Sequence, residues 1–124
     1  MIDNVGNTKV FADEEKAAFN APYPDESYLA GVRRFPSLVP LFLDEPEVSE
    51  NKLAWEVLKQ FDKPFMCAFS DNDPVTVGGD RAFLKNVPGC QGVKHRTITS
   101  AGHFLQHEQP EQCVQAILDI TDQK

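Results

Sequence analysis

Two short segments carry residues whose types and spacing suit catalysis. Phe65-Met66-Cys67-Ala68-Phe69-Ser70 is an apolar run that ends in Asp71-Asn72-Asp73-Pro74, and Val93 to Thr99 is a β-like run followed by Ser100-Ala101-Gly102-His103. An acid after one strand and a histidine after the next is what a hydrolase needs to orient a general base. The carboxylate fixes the imidazole tautomer and stabilises the imidazolium once the ring takes a proton. Asp73 and His103 lie thirty residues apart, the span of one strand–helix–strand crossover, so both should emerge at the same sheet edge. Asp71 competes with Asp73 for the acid role. Ser70-Asp71-Asn72-Asp73-Pro74 also suits a plain turn, because Asx side chains bond nearby backbone amides. A lone Gly102-His103 would read as a surface loop; its pairing with an acid is what favours function. His95, inside the second run, and His107, before the last helix, read as structural or exposed.

A base and its orienter still need a nucleophile. The chain contains no Gly-x-Ser-x-Gly and no Gly-x-Asp-x-Gly elbow, and Ser27, Ser37, Ser49, Ser70 and Ser100 sit in helix, turn or cap contexts. P-loop, dinucleotide and zinc fingerprints are absent, and Asp71-Asn72-Asp73 lacks the glycine and terminal glutamate of a calcium loop. The three cysteines, Cys67, Cys90 and Cys113, form no Cys-x-x-Cys. Cys67 and Cys113 read as buried, reduced hydrophobes, whereas Cys90 in the Pro88–Gly92 turn is expected to be partly exposed. No metal or cofactor is expected.

The 124 residues allow one domain, and 41% hydrophobic with 25% charged residues is a globular composition. A formal net charge of −7, with only Arg33 and Arg34 adjacent among the basic residues, argues against nucleic acid. No apolar stretch approaches spanning length, so no membrane partner is expected. Met1 to Asn7 lacks the basic and apolar regions of a signal peptide, which makes the cytoplasm the default location.

The elements that must position the pair lie in the second of two unequal parts. Residues 1–46 are rich in proline and aromatics, with helical patches at Asp13–Phe19 and from Pro24 to Arg34. Residues 47–124 alternate regularly. A helix over Ser49–Phe61 carries Leu53, Val57, Leu58 and Phe61 on one face, and a strand over Phe65–Phe69 follows. Next come a helix over Asp80–Val87 with Phe83, Leu84 and Val87 inward, a strand over Val93–Thr99, and a last helix from Pro110 bearing Cys113, Val114, Ile117, Leu118 and Ile120. This order implies parallel strands covered by helices. Two such strands make a poor sheet, since parallel sheets are buried on both faces and need neighbours. Either the first part supplies more strands or the chain is the end of something larger.

The run Phe69-Ser70-Asp71-Asn72-Asp73-Pro74-Val75-Thr76, followed by Ala101-Gly102-His103-Phe104-Leu105-Gln106, resembles the C-terminal end of an α/β-hydrolase, and most of all the haloalkane dehalogenases. Ala21 to Pro36 is similar to the end of their helical cap and is the more diagnostic segment. The resemblance runs from about residue 10 onward. It implies a C-terminal portion of an α/β-hydrolase fold: residues 1–46 as the end of the helical cap, residues 47–124 as the last two parallel strands and their helices. It implies Asp73 as the triad acid and His103 as the base that activates water. Phe35, Pro36 and Val39 match cap positions lining the halocarbon pocket, and Val75 matches a wall position just after the acid. The family's nucleophile, an aspartate that displaces halide to form an ester, would lie upstream with the halide-holding residues. Trp55 is a packing residue. The expected activity is hydrolysis of carbon–halogen bonds, with a small halogenated hydrocarbon, water and halide as partners. The parent enzyme is expected to be a monomer, and the chain alone inactive. An epoxide hydrolase or other α/β-hydrolase fragment is the alternative enzyme, and a non-catalytic module binding through an unpaired strand edge the alternative class.

Overall fold

The computed structural model describes residues 11–40 and 42–122; the N-terminal segment considered above lies outside them. The described residues fall into two compact units, 11–57 and 58–122. In the first, α1 (Asp13–Asn20) has three acids in its opening turn, where the helix dipole favours them. The Glu15 carboxylate reaches back to the Ala12 amide at 2.8 Å. Phe11 packs edge-on against Phe19, with centroids 5.3 Å apart. The second helical patch starts later than the prolines suggest. Asp25 accepts from the Ser27 amide at 2.9 Å and the Ser27 hydroxyl at 2.6 Å, and so sets a 3₁₀ turn (Glu26–Leu29) that runs into α2 (Ala30–Arg34). Arg33 pairs with Glu26, and Phe35–Leu38 forms another 3₁₀ turn. Helix α3 spans Pro46–Leu58 and leaves Phe61 outside. Leu53 and Val57 of its expected apolar face are largely exposed, while Trp55 is half-buried.

The second unit contains a parallel pair, β1 (Ala68–Ser70) and β2 (Arg96–Ile98), in register Ala68↔Arg96, Phe69↔Thr97 and Ser70↔Ile98. Helix α4 (Asp80–Asn86) lies in the crossover between them. After β2 come the short α5 (Leu105–Glu108) and α6 (Pro110–Thr121). Both strands are shorter than their apolar runs, for a visible reason. The Phe65 amide goes to the Gly89 carbonyl at 2.9 Å, and the Cys67 amide goes to Nδ1 of His95 at 3.1 Å. The ladder therefore begins only where the Arg96 amide meets the Cys67 carbonyl, at 3.0 Å.

The buried side chains of this unit include Cys67, Val87, Ile98, Ala101 and Ala116. Cys90 joins them at 3% exposure, against the expectation of a partly exposed turn. The 3₁₀ turn Pro88–Cys90 is drawn inward by the Gly89 amide, which donates to Phe61 O at 2.8 Å, and by His95, whose Nε2 meets the Cys90 carbonyl at 3.1 Å. Burial, with the Cys90 thiol and the Asp80 carboxylate adding to it, pushes the Cys67 thiol up to about 11, so this is a packed, unreactive cysteine. Phe65 stacks on Phe83 and meets Phe61 edge-on. Arg96 ties β2 to α6 through Asp119, with Nε 2.6 Å from the carboxylate, and Gln115 holds the other oxygen at 2.7 Å. Val114, Ile117 and Leu118 of α6 are at least half exposed, so that helix buries less of its apolar stripe than its period suggests.

Gly89 is needed for close approach rather than for an unusual dihedral. A Cβ there would sit 2.0 Å from the Lys63 carbonyl oxygen. Gly89→Ala should force the 61–65 segment away from the turn and lower stability by about 1–3 kcal/mol, the usual cost of overpacking. The urea midpoint of the variant against the unsubstituted chain measures it; an unchanged midpoint would refute this packing.

Candidate active site

Because β1 and β2 run parallel, the loops that leave their carboxyl ends emerge side by side. The first loop carries Asp73, which is 4% exposed although it is a carboxylate. A charge so placed must be partnered. The Val75 amide donates to its Oδ1 at 2.8 Å, and the Thr76 hydroxyl donates to its Oδ2. Nδ1 of His103, on the second loop, lies 3.1 Å from both carboxylate oxygens. Burial pushes the Asp73 carboxyl up, but the Thr76 hydroxyl, the Val75 amide and His103 together outweigh it and hold the group below its ordinary value. An ionised carboxylate can only accept, so Nδ1 of His103 is the donor, and in the neutral ring Nε2 is left with the lone pair. The ring is about one-third exposed, at 35%, and packs edge-on against Phe104. Chemically this is an oriented imidazole able to take a proton at Nε2.

Asp71 takes a different place from Asp73. Its main hydrogen bonds run to the opposite loop rather than to His103. It accepts the amides of Ser100 at 3.0 Å and Ala101 at 3.2 Å, across on the histidine loop. These bonds hold its carboxyl below the ordinary value. The Asn72 amide donates to the Ala101 carbonyl at 3.1 Å, and the Gly102 amide donates to the carboxylate of Glu108. Thr76, which bonds Asp73, and Glu108, which accepts the Gly102 amide, look in sequence like ordinary loop and helix polar residues.

The other histidines serve elsewhere. His95 accepts the Cys67 amide at Nδ1 and donates from Nε2 to the Cys90 carbonyl, which matches a neutral ring bridging two backbone segments. His107 is half-buried in α5. Of the expected pocket residues, Phe35 is 72%, Val39 53% and Val75 63% exposed, and Pro36 is also exposed. Phe35, Pro36 and Val39 belong to the first unit and Val75 to the second. Among the described residues no group of three or more His, Cys, Asp or Glu could hold a metal ion, and no helix is long and apolar enough to cross a membrane.

The two depressed carboxyls give a signed pH dependence. A group whose folded pKa lies below its ordinary 3.8 contributes stability that is complete above that value and is lost as pH falls through the folded value. Thermal melts should therefore show no loss from Asp71 and Asp73 between neutrality and about pH 4, then a fall below it. Asp71→Asn should reduce that acid slope, and a slope the substitution leaves unaltered would contradict the assignment.

No protein-family model matches the chain. Curated relatives do. A haloalkane dehalogenase of Psychrobacter cryohalolentis is 50% identical over 103 residues, which is 83% of this chain and 34% of the relative. One of Mycobacterium marinum is 40% identical over 103 residues, again 34% of its length. One of Mycolicibacterium paratuberculosis is 36% identical over 117 residues, or 94% of this chain and 38% of the relative. The chain thus spans about a third of the length of the relatives it matches. Over most of its own length it is homologous to the haloalkane dehalogenases.

Proposed function

We propose that this chain is the C-terminal portion of an α/β-hydrolase that cleaves carbon–halogen bonds, and that it supplies the acid and the base of the site. What carries the proposal is the Asp73–His103 pair, set on adjacent parallel strand ends in a chain that over 103 residues is 50% identical to a haloalkane dehalogenase. In the reaction an aspartate from outside these residues attacks the halogen-bearing carbon, halide leaves, and an alkyl ester remains. His103 then takes a proton from water at Nε2 while that water adds to the ester carbonyl. Collapse of the adduct releases the alcohol and restores the carboxylate, so R–X and water become R–OH, halide and a proton. Asp73, held ionised, steadies the imidazolium that forms between these steps. Phe35, Pro36 and Val39, and separately Val75, are proposed as apolar contacts for the halocarbon in the parent enzyme, where exclusion of water favours displacement.

The chain offers no glycine-flanked aspartate, so by itself it should release no halide from a brominated alkane; steady turnover would overturn the division of roles. The positive test is a chimera in which this sequence replaces the matching segment of the Psychrobacter relative. There, His103→Ala should release one halide per enzyme and accumulate an ester adduct detectable by mass. Asp73→Asn should fold normally and lose roughly 10³-fold or more in ester hydrolysis. Multiple turnover by the His103→Ala chimera would refute the base assignment.

A further inference from the structure

We propose that Asp71 is a positioning residue for His103: its carboxylate latches the loop that presents the imidazole onto the loop that presents Asp73. This rests on the reading of Asp73 and His103 as acid and base. An Asx residue in an ordinary turn bonds an amide two residues along its own loop. Asp71 instead spends its two oxygens on amides 29 and 30 positions away, Oδ2 on Ser100 and Oδ1 on Ala101. Those amides immediately precede Gly102 and His103. The segment they belong to is conformationally demanding. Ser100 has φ +57, a left-handed backbone that a side-chain-bearing residue rarely adopts without outside support. Release of the two amides removes the support that opposes the usual right-handed or extended preference of Ser100, and His103 follows its loop.

The bonds around the latch agree in direction. The Asp71 amide donates to the Ile98 carbonyl at 3.1 Å, continuing the β1–β2 ladder into the loop, and Asn72 returns a bond to Ala101. On the far side Gln109 Nε2 donates to the Ser100 carbonyl at 3.1 Å. Gln112 holds both the amide and the carbonyl of Thr99 at 3.0 Å. The histidine loop is thus gripped by α6 and its leading residue from one side and by Asp71 from the other. Asp71 shares its loop with the triad acid, so its carboxylate, together with the Asn72 amide, sets the spacing of the two loops directly. An imidazole displaced by about 1 Å from its productive position costs on the order of 10²-fold in rate.

Amide hydrogen exchange on the chain and kinetics on the chimera together test this. In the chain, Asp71→Ala should speed exchange of the Ser100 and Ala101 amides at least tenfold while leaving the Gly89 amide, bonded in the 61–65 segment, unchanged. Equal acceleration at Gly89 would make Asp71 a residue of general stability and overturn the latch. In the chimera, Asp71→Ala should lower kcat about 10- to 100-fold with KM within about twofold, and adding Ser100→Gly should restore part of the loss, because glycine takes the left-handed backbone unaided. An active chimera whose kcat ignores Asp71→Ala refutes the positioning role and leaves the functional reading intact. A chimera inactive without any substitution refutes the functional reading, while the exchange data still decide the latch.

Discussion

The parallel pairing of β1 with β2 is the interaction on which the candidate site depends. Parallel strands send their chain ends the same way, and the register Ser70↔Ile98 places the first loop residue, Asp71, level with the residues that follow Ile98. A slip of one residue would turn every side chain to the opposite face and part Asp73 from His103. The pairing is short, so its precision comes from side chains at both ends. At the start, His95 bridges Cys67 and Cys90. At the finish, Asp71 and Asn72 carry hydrogen bonding past the last ladder residues. Arg96 anchors the strand between them to α6 through Asp119.

Two aspartates two residues apart thereby do different work. Asp73 is buried and meets two donors on its own loop before it meets the imidazole; Asp71 is exposed and reaches across to backbone. Both are held in the ionised form, by different bonds. A buried carboxylate beside a ring nitrogen selects a tautomer, and an exposed one on backbone amides holds a loop. The same side chain meets two different sets of partners because the loop turns between them.

Much of this was legible in sequence. Pro and Gly punctuation and the 3.6 period mark α4 and α6, and the alternation of apolar runs with helices gives parallel strands. The thirty-residue spacing is enough to bring the Asp73 and His103 loops side by side. What was not legible depends on partners distant in the chain. Cys90 sits in a turn that by composition belongs on the surface, and it is buried because the Phe61 carbonyl and the His95 ring claim it. The apolar runs around β1 and β2 promise longer strands, but the His95 ring takes the amide that would have extended the ladder. Asp71 looked like a rival to Asp73 or a local cap, because no pattern within one loop reveals bonds to another. Leu53, Val57, Val114 and Ile117 keep the spacing of buried residues yet remain exposed, which periodicity cannot distinguish from burial.

The central claim is that Asp73 fixes His103 with its proton on Nδ1 and its lone pair on Nε2. Nitrogen NMR of the unsubstituted chain with labelled histidine, at neutral pH, reads this directly, and His95 provides an opposite standard within the same molecule. His103 should appear as the Nδ1-protonated tautomer, and His95, which accepts the Cys67 amide at Nδ1, as the Nε2-protonated one. A neutral His103 ring that carries its proton on Nε2 rather than Nδ1, or one exchanging freely between tautomers, would contradict the acid–base pairing on which the proposed chemistry stands.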